Sequence, residues 1–113
     1  MDSNSQAPVL LITFNRPDTT IKVFEQIKRA RIKKLYIAND APREGNINDE
    51  NARVLIKKLL NEVDWDCELH TLFHDKNLGC GWGPATAISW AFENEEKLII
   101  LEDDCVPSQP FFD

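Results

Sequence analysis

Short apolar runs alternate with longer amphipathic segments along the chain. The apolar runs fall at residues 8–14, 35–38, 67–73 and 98–101, and they have the lengths of β-strands. Between them, apolar residues recur at helical spacing from residue 18 or 19 to about 30, from 48 or 49 to 63, and from 84 to about 93. This β-α-β-α-β-α-β order predicts an α/β domain with a mostly parallel sheet and helices on both of its faces.

Start signals and apolar stripes predict a boundary and a buried face for each helix. The candidate start residues, in chain order, are Asp18 or Thr19, Asn48 or Asp49, and Pro84. The residues expected to face the core are Ile21, Phe24 and Ile27, then Ala52, Leu55, Ile56, Leu59, Leu60 and Val63, then Ala87, Ile88, Ala91 and Phe92. The glycine-rich residues 75–83 are expected to form a loop that precedes the third helix.

The last apolar run is followed directly by three acidic residues, Glu102, Asp103 and Asp104. Residues 98–101 show no polar alternation, so they are predicted to form a strand buried on both faces. Three carboxylates at the end of such a strand are costly unless positive charge meets them. A divalent cation bound to phosphate oxygens is the obvious candidate, and a solvated acidic turn is the alternative.

Polar residues follow each of the predicted strands. With the strand order 3-2-1-4, the order reverses between strands 1 and 4, and ligands of open α/β sheets bind beyond the carboxyl ends of the strands at such a point. We therefore expect a charged ligand to be held there. The polar residues at the strand ends are Asn15 and Arg16, Asn39 and Asp40, Asp75 and Asn77, and Glu102 to Asp104.

Composition and charge narrow the class of protein. A chain of 113 residues suits one domain, predicted to span residues 8–113 after a disordered segment of residues 1–7. The net charge of -6 argues against nucleic acid as a partner. No apolar run is long enough to cross a membrane and no secretion signal is visible, so a cytoplasmic location is expected. Three cysteines without a C-x-x-C pair predict reduced thiols rather than disulfides or a zinc site.

Several nucleotide-binding motifs are missing from the positions where they would act. Strand 1 is followed by N-R-P-D rather than by G-x-G-x-x-G, and the glycines of residues 79–83 come after strand 3. The sequence contains no G-x-x-x-x-G-K-[ST] motif. What remains is a domain that holds a nucleotide at the ends of strands 1 and 2 and a metal at the end of strand 4.

Four segments carry a resemblance to a known family. They read P-V-L-L-I-T-F-N-R-P-D, L-Y-I-A-N-D-A-P-R, N-L-G-C-G-W-G and I-I-L-E-D-D-C-V-P-S-Q-P-F-F. Together they resemble the N-terminal, nucleotide-binding half of a GT-A glycosyltransferase over residues 8–112. The last segment is similar to the E-D-D variant of the D-x-D motif in the N-acetylglucosaminyltransferase I type. The chain also looks like bacterial proteins described as sugar transferases or haemolysin-related proteins.

The resemblance implies a fold and a set of roles. The fold would be a Rossmann-like three-layer sandwich of GT-A type that binds a nucleotide-sugar donor, with a UDP-sugar favoured, together with Mn²⁺ or Mg²⁺. Asp104 would bind the metal directly, with Glu102 as a second metal residue, and Asp40 would accept a hydrogen bond from the base. The residues implied to contact the nucleotide sugar are Asn15, Arg16, Asp40, Asn77, Gly79, Glu102 and Asp103.

Each implied role has a local alternative. Asp40 would in that case cap a turn, and Arg16 would pair with Asp18 or Asp40 on the surface. Gly79 and Gly81 would serve only the turn between strand and helix. Trp82 would either stack on a base or be an exposed aromatic, and neither histidine is expected to bind metal.

The acceptor site and the catalytic base of such enzymes belong to a second half that follows the acidic triplet. The chain is therefore expected to be inactive alone, as a fragment of a longer enzyme or as a short protein that forms a homo-oligomer to cover the open edge of strand 4. No catalytic residue and no acceptor is assigned. The alternative function is a non-catalytic domain, derived from a glycosyltransferase, that binds a nucleotide or a partner.

Overall fold

The computed structural model describes residues 6–112. Its elements follow the predicted alternation of strands and helices, with a short 3₁₀ turn at Leu60–Glu62 and another at Gln109–Phe112. The strands and helices are β1 (Val9–Thr13), α1 (Pro17–Ala30), β2 (Lys34–Asn39), α2 (Ile47–Leu59), β3 (Glu68–Phe73), α3 (Gly79–Phe92) and β4 (Ile99–Glu102).

The four strands form one all-parallel sheet in the order β3-β2-β1-β4. This confirms the predicted α/β fold, which is consistent with a Rossmann-like architecture, and it confirms the predicted strand order. The central strands β1 and β2 are almost entirely buried, as expected for a sheet covered on both faces. The order reverses between β1 and β4, so a crevice opens at the carboxyl ends of those two strands.

Two hydrophobic cores lie on opposite faces of the sheet. On one face, Phe24 and Ile27 of α1 and Leu59 of α2 pack against the strands. On the other face, Ala87 and Ala91 of α3 pack against strand side chains. Burying one large aliphatic or aromatic side chain stabilises the fold by about 1.5–3 kcal/mol, so the first core carries most of the apolar stabilisation.

Two helices begin earlier than predicted. Helix α1 begins at Pro17, in the position where proline's fixed φ suits a first turn, and Asp18 lies within that turn rather than capping it. Helix α2 is capped by Asn46, whose side-chain oxygen accepts a hydrogen bond from the Asp49 N–H at 3.0 Å. The prediction of a start at Asn48 or Asp49 is therefore wrong, because Asn46 reaches the free N–H first.

Helix α3 also begins earlier than the predicted start at Pro84. It begins at Gly79, so most of the expected glycine-rich loop is helical, and Pro84 lies inside the helix rather than in its first turn. Glycine has poor helix propensity, and this start is stabilised by tertiary contacts. The Asp40 carboxylate accepts hydrogen bonds from the backbone N–H groups of Leu78 and Gly79.

Four residues predicted to be buried are exposed: Ile21, Leu55, Phe92 and Ile100. In α1 the buried stripe is Thr20, Val23, Phe24 and Ile27, which is rotated away from Ile21. Ile100 is 38% exposed because β4 is an edge strand that pairs only with β1. The prediction that residues 98–101 form a strand buried on both faces is therefore wrong, because an unbroken apolar run does not by itself show burial.

The structure describes part of the segment of residues 1–7 that was predicted to be disordered. Residues 1–5 lie outside the described range, whereas Gln6 accepts a hydrogen bond from the Lys33 N–H at 2.9 Å and donates one to the Ala30 carbonyl at 3.4 Å. Within residues 6–112, no helix combines the length and the hydropathy needed to span a membrane.

Candidate functional site

A cleft of about 380 Å³ opens at the carboxyl ends of the strands, where the strand order reverses. Its walls are the ends of the four strands and the segments that follow them, together with the first turns of α3. All the residues predicted to form the site line this one cleft, although they come from separate parts of the chain. They are Asn15, Arg16, Asp40, Asn77, Gly79, Glu102, Asp103 and Asp104.

Asp103 is half-buried in the wall of the cleft. Its carboxylate accepts a hydrogen bond from the Phe14 N–H at 3.0 Å, which ties the end of β4 to the end of β1. Burial raises the pKa of the Asp103 carboxyl, while the Phe14 N–H opposes that shift. A carboxylate desolvated in this way is stabilised by any positive charge brought into the cleft.

Asp104 and Arg16 form an ion pair across the rim of the cleft. Arg16 Nη1 lies 3.3 Å from Asp104 Oδ2, and both side chains are about half exposed. The alternative in which Arg16 pairs with Asp18 or Asp40 is wrong, because Asp104 at the end of the neighbouring strand takes the contact. Exposed pairs of this kind are weak, so a ligand can separate them at little cost.

The donors present fit a cation that arrives with its own phosphate ligands. Among residues 6–112, no group of three His, Cys, Asp or Glu side chains is arranged to hold a metal ion. Glu102 and Asp104 are nevertheless exposed carboxylates at the rim. Mg²⁺ in nucleotide sites is commonly held by one or two carboxylates, with water and substrate phosphates completing its shell. This pair of residues meets that smaller requirement.

Asp40 is already fully engaged by the protein. One carboxylate oxygen accepts from the Ala41 and Leu78 N–H groups at 2.8 and 2.9 Å. The other accepts from the Gly79 N–H at 3.1 Å and from Asn77 Nδ2 at 3.4 Å. Asp40 therefore holds the start of α3, which is a capping role on that helix. A ligand N–H would have to compete with these donors.

A buried carboxylate below the rim was missed as a site residue. Asp49, only 1% exposed, receives two guanidinium contacts from Arg43 at 2.8 and 3.1 Å and an amide hydrogen bond from Asn15 at 2.9 Å. The Arg43 guanidinium holds the pKa of Asp49 well below its usual range, although burial acts in the opposite direction. Arg43 itself lines the cleft and lies 5.7 Å from the centre of the Phe14 ring.

A second group missed from the sequence joins the ends of β2 and β3. Arg53 donates to the Asn39 side-chain oxygen at 2.8 Å and to the His74 carbonyl at 2.7 Å. His74 lines the cleft, and its ring Nε2 is buried without a hydrogen-bond partner among the described residues. An unsatisfied buried nitrogen is costly, so this atom lowers the stability of the fold.

The signals for the missed residues differ in strength. Arg43 could have been found, because it follows Asp40 closely after the end of a strand that points at the cleft. Asp49 and Arg53 lie on α2, where their sequence pattern is that of an ordinary charged helix surface, and only the tertiary packing turns them inward. Trp82 is 75% exposed and does not line the cleft, so its alternative as an exposed aromatic is confirmed.

Comparisons of this chain with models of protein families, with curated proteins and with solved structures found no significant match in any of the three.

Proposed function

We propose that this cleft binds a nucleotide-sugar donor, and that the chain is the donor-binding portion of a metal-dependent glycosyltransferase of GT-A type. One observation carries the proposal: every residue implied by the sequence resemblance, from four separate segments, lines the same cleft. The cleft also lies at the reversal of strand order, where open α/β sheets bind their ligands.

The charges on the rim suit a diphosphate with a bound cation. Glu102 and Asp104 would hold Mn²⁺ or Mg²⁺, and the cation would supply Lewis-acid stabilisation of the departing diphosphate. Arg16, released from Asp104, would then be free to contact a phosphate oxygen. Asp103 would remain tied to the Phe14 N–H and add negative charge behind the cation.

The opposite end of the cleft would take the nucleoside. Asp40, His74 and Asn77 line that end, and uridine is the favoured base from the sequence resemblance. Asp40 would hold α3 in place, and a base N–H would share its carboxylate with the existing donors. No residue among those described is assigned as the catalytic base, and the isolated chain is expected to transfer no sugar. The cytoplasmic location stays a prediction.

A thermal-shift experiment tests the proposal. The chain is heated with UDP, GDP and dTDP, each with and without Mn²⁺, and UDP with Mn²⁺ is expected to raise the melting temperature most. Asp104→Ala should abolish that rise. Asp64→Ala is the matched control, because Asp64 is also an exposed carboxylate in an ion pair, 3.4 Å from Lys28 and outside the cleft.

The second candidate is a non-catalytic domain that binds a nucleotide or a protein partner. The Arg16–Asp104 ion pair favours it, since a rim acid neutralised by the protein itself has less need of a metal. Stabilisation by nucleotides that is independent of Mn²⁺ and survives Asp104→Ala would support this candidate. The absence of any shift with all three nucleotides would leave only protein binding.

A further inference from the structure

Arg43 is fixed in the wall of the cleft by a carboxylate that lies beneath the surface. Asp49 is 1% exposed, and its Oδ2 accepts hydrogen bonds from the Arg43 backbone N–H at 3.0 Å and from Arg43 Nε at 2.8 Å. Its Oδ1 accepts one from Arg43 Nη2 at 3.1 Å and another from the Asn15 amide at 2.9 Å. The guanidinium is therefore anchored to a buried group rather than to another surface side chain.

The contact with Asp49 uses only one edge of the Arg43 guanidinium. A guanidinium carries five N–H donors in a planar fork, and here Nε and one N–H of Nη2 are taken. The remaining N–H groups, on Nη1 and Nη2, have no acceptor among residues 6–112. The side chain is 56% exposed and lines the cleft. It therefore keeps a free edge, Nη1 with Nη2, of the kind that binds two oxygens of a phosphate or carboxylate at once.

The two arginines that line the cleft differ in how firmly they are held. Arg16 meets an exposed carboxylate, that of Asp104, through Nη1 alone at 3.3 Å. Arg43 has three contacts with a buried carboxylate, and its Cζ also lies 5.7 Å from the centre of the Phe14 ring. The position of Arg43 is thus set before a ligand arrives, which lowers the ordering cost of binding.

Arg43 lies between the two ends of the cleft. It contacts Phe14 and, through Asp49, Asn15, and these two residues directly follow β1. The proposed nucleoside end is formed after β2 and β3 and the proposed metal end after β4, and β1 lies between β2 and β4 in the sheet. A group joined to a nucleoside on one side and to a bound cation on the other would therefore reach Arg43. In a nucleotide sugar, that group is the phosphate attached to the ribose.

We propose that Arg43 is a ligand-binding residue of the cleft, which takes a phosphate through its Nη1 and Nη2 edge, and that Asp49 is the positioning residue that presents it. The contact forms a subsite for an oxyanion that needs no metal ion. The choice of the phosphate next to the ribose rests on the proposed function, whereas the oxyanion subsite does not.

NMR of the unaltered chain tests the subsite with inorganic pyrophosphate as the probe. The arginines are labelled with ¹⁵N, their guanidinium signals are assigned with variants at single arginines, and pyrophosphate is added without metal. We expect the Arg43 Nη signals to move, and rotation of its guanidinium to slow, at concentrations that leave Arg31 unchanged. Arg31 is exposed at the end of α1, outside the cleft. Arg43 signals that move no more than those of Arg31 would overturn the inference.

Paired affinities separate ligand binding from a purely structural role. Arg43→Lys keeps a positive charge beside Asp49 but has no second N–H edge. UDP with Mn²⁺ should therefore bind roughly tenfold more weakly, while uridine, which has no phosphate, should bind as it does to the wild type. Arg31→Lys is the matched control and should bind both ligands normally, and circular dichroism checks that each variant is folded. An equal loss of UDP and uridine affinity in a folded Arg43→Lys would show that Arg43 acts only on the fold.

Asp49→Asn tests the positioning role. It keeps the Arg43 guanidinium but weakens its anchor, so NMR should show faster rotation of that guanidinium before any ligand is added. The affinity for UDP with Mn²⁺ should fall while that for uridine stays unchanged. A folded Asp49→Asn with wild-type rotation and wild-type UDP affinity would contradict the role given to Asp49.

This inference and the proposed function fail in different ways. Pyrophosphate that shifts the Arg43 signals of a chain that binds no nucleotide would support the oxyanion subsite and refute the nucleotide-sugar assignment. UDP with Mn²⁺ that binds equally well to the wild type and to Arg43→Lys would support that assignment and overturn the role given to Arg43.

Discussion

Asp49 and Arg43 form the part of the site in which single residues matter most to stability. Asp49 is buried and its carboxylate is met by a guanidinium, an amide and the Arg43 N–H, the last at 3.0 Å. The side chain that carries the opposite charge, Arg43, is more than half exposed. The wall of the cleft near Phe14 is therefore anchored from inside the protein rather than from its surface.

Asp49→Asn should destabilise the protein. Asparagine keeps the shape but loses the charge, and it leaves donors from Asn15 and Arg43 without a carboxylate. We expect the free energy of unfolding to fall by about 2–3 kcal/mol, measured by urea denaturation at pH 7. Glu50→Gln, on an exposed acid of the same helix turn, is the control and should be neutral. Equal stability of the two variants would contradict the role given to Asp49.

The same residue predicts a pH dependence. The pKa of Asp49 is lowered in the folded state, so its contribution to stability is present above its unfolded pKa of about 3.9 and is lost as pH falls through the folded value. The difference in stability between the wild type and Asp49→Asn should therefore shrink as pH drops below about 4. A difference that stays constant into strongly acidic solution would show that the charge of Asp49 is unimportant.

Replacing Arg16 should change the binding affinities for two ligands in opposite directions. Arg16→Gln frees Asp104 for a cation, so Mn²⁺ alone should bind about two- to fivefold more tightly. The same change removes a guanidinium from the diphosphate, so UDP with Mn²⁺ should bind roughly tenfold more weakly. Calorimetric titration measures both affinities, with Lys28→Gln as the control from the other exposed ion pair. Movement of both affinities in one direction would count against the proposed exchange of partners.

At the scale of elements, helix α3 depends on one distant side chain. Its first turn contains Gly79 at φ +87°, a conformation that residues other than glycine seldom adopt, and the Asp40 carboxylate supplies the acceptors for that turn. Gly83 allows the close approach, since a Cβ there would lie 3.1 Å from an Asp40 carboxylate oxygen. The position of α3, and with it one wall of the cleft, is set from the end of β2.

Asp40→Ala is expected to lower the free energy of unfolding by about 1–2 kcal/mol, as the loss of a helix cap does. The loss should appear without any nucleotide, because the contacts are made within the protein. Asp75→Ala, an exposed acid after β3, is the matched control. If Asp40 served only to accept a hydrogen bond from a base, Asp40→Ala would keep its stability and lose nucleotide binding alone.

The elements that could be predicted from sequence are those whose signal is local. All four strands and all three helices were found, because each follows from a run of apolar residues or a stripe at helical spacing. The start of α3 was missed because the residue that accepts its first N–H groups, Asp40, lies far from Gly79 in the sequence. No local sequence pattern indicates a cap from so distant a residue. The exposure of Ile100 was missed because apolar character alone does not show which strand lies at an edge.

For the whole molecule, strand order was the step that made the cleft predictable. Once β1 and β4 are neighbours, Asn15, Arg16 and the three acids must meet at one end of the sheet, whatever their individual contacts. Those contacts were not predictable in the same way. The Arg16–Asp104 pair depends on distances of a few ångströms that sequence spacing does not determine, and so does the lack of a partner for His74 Nε2 among residues 6–112.

The same order predicts how stability is distributed through the molecule. Residues of β1 and β2 such as Leu10, Leu11 and Leu35 are fully buried and paired on both sides, so their amides should exchange with deuterium only on global unfolding. Amides of the edge strand β4 should exchange sooner, with the Ile100 amide, which faces away from β1, the fastest. Hydrogen exchange followed by NMR measures this, and uniform protection across the sheet would contradict it.

The hydrogen bond from the Phe14 N–H to Asp103 joins residues 89 positions apart. The N-terminus of a chain leaves the ribosome first. The cleft therefore stays incomplete until β4 has been translated and has inserted beside β1. A nascent chain stalled before Glu102 would carry Arg16 without the three acids, and ligand capture on stalled ribosomes would show when the sheet is completed.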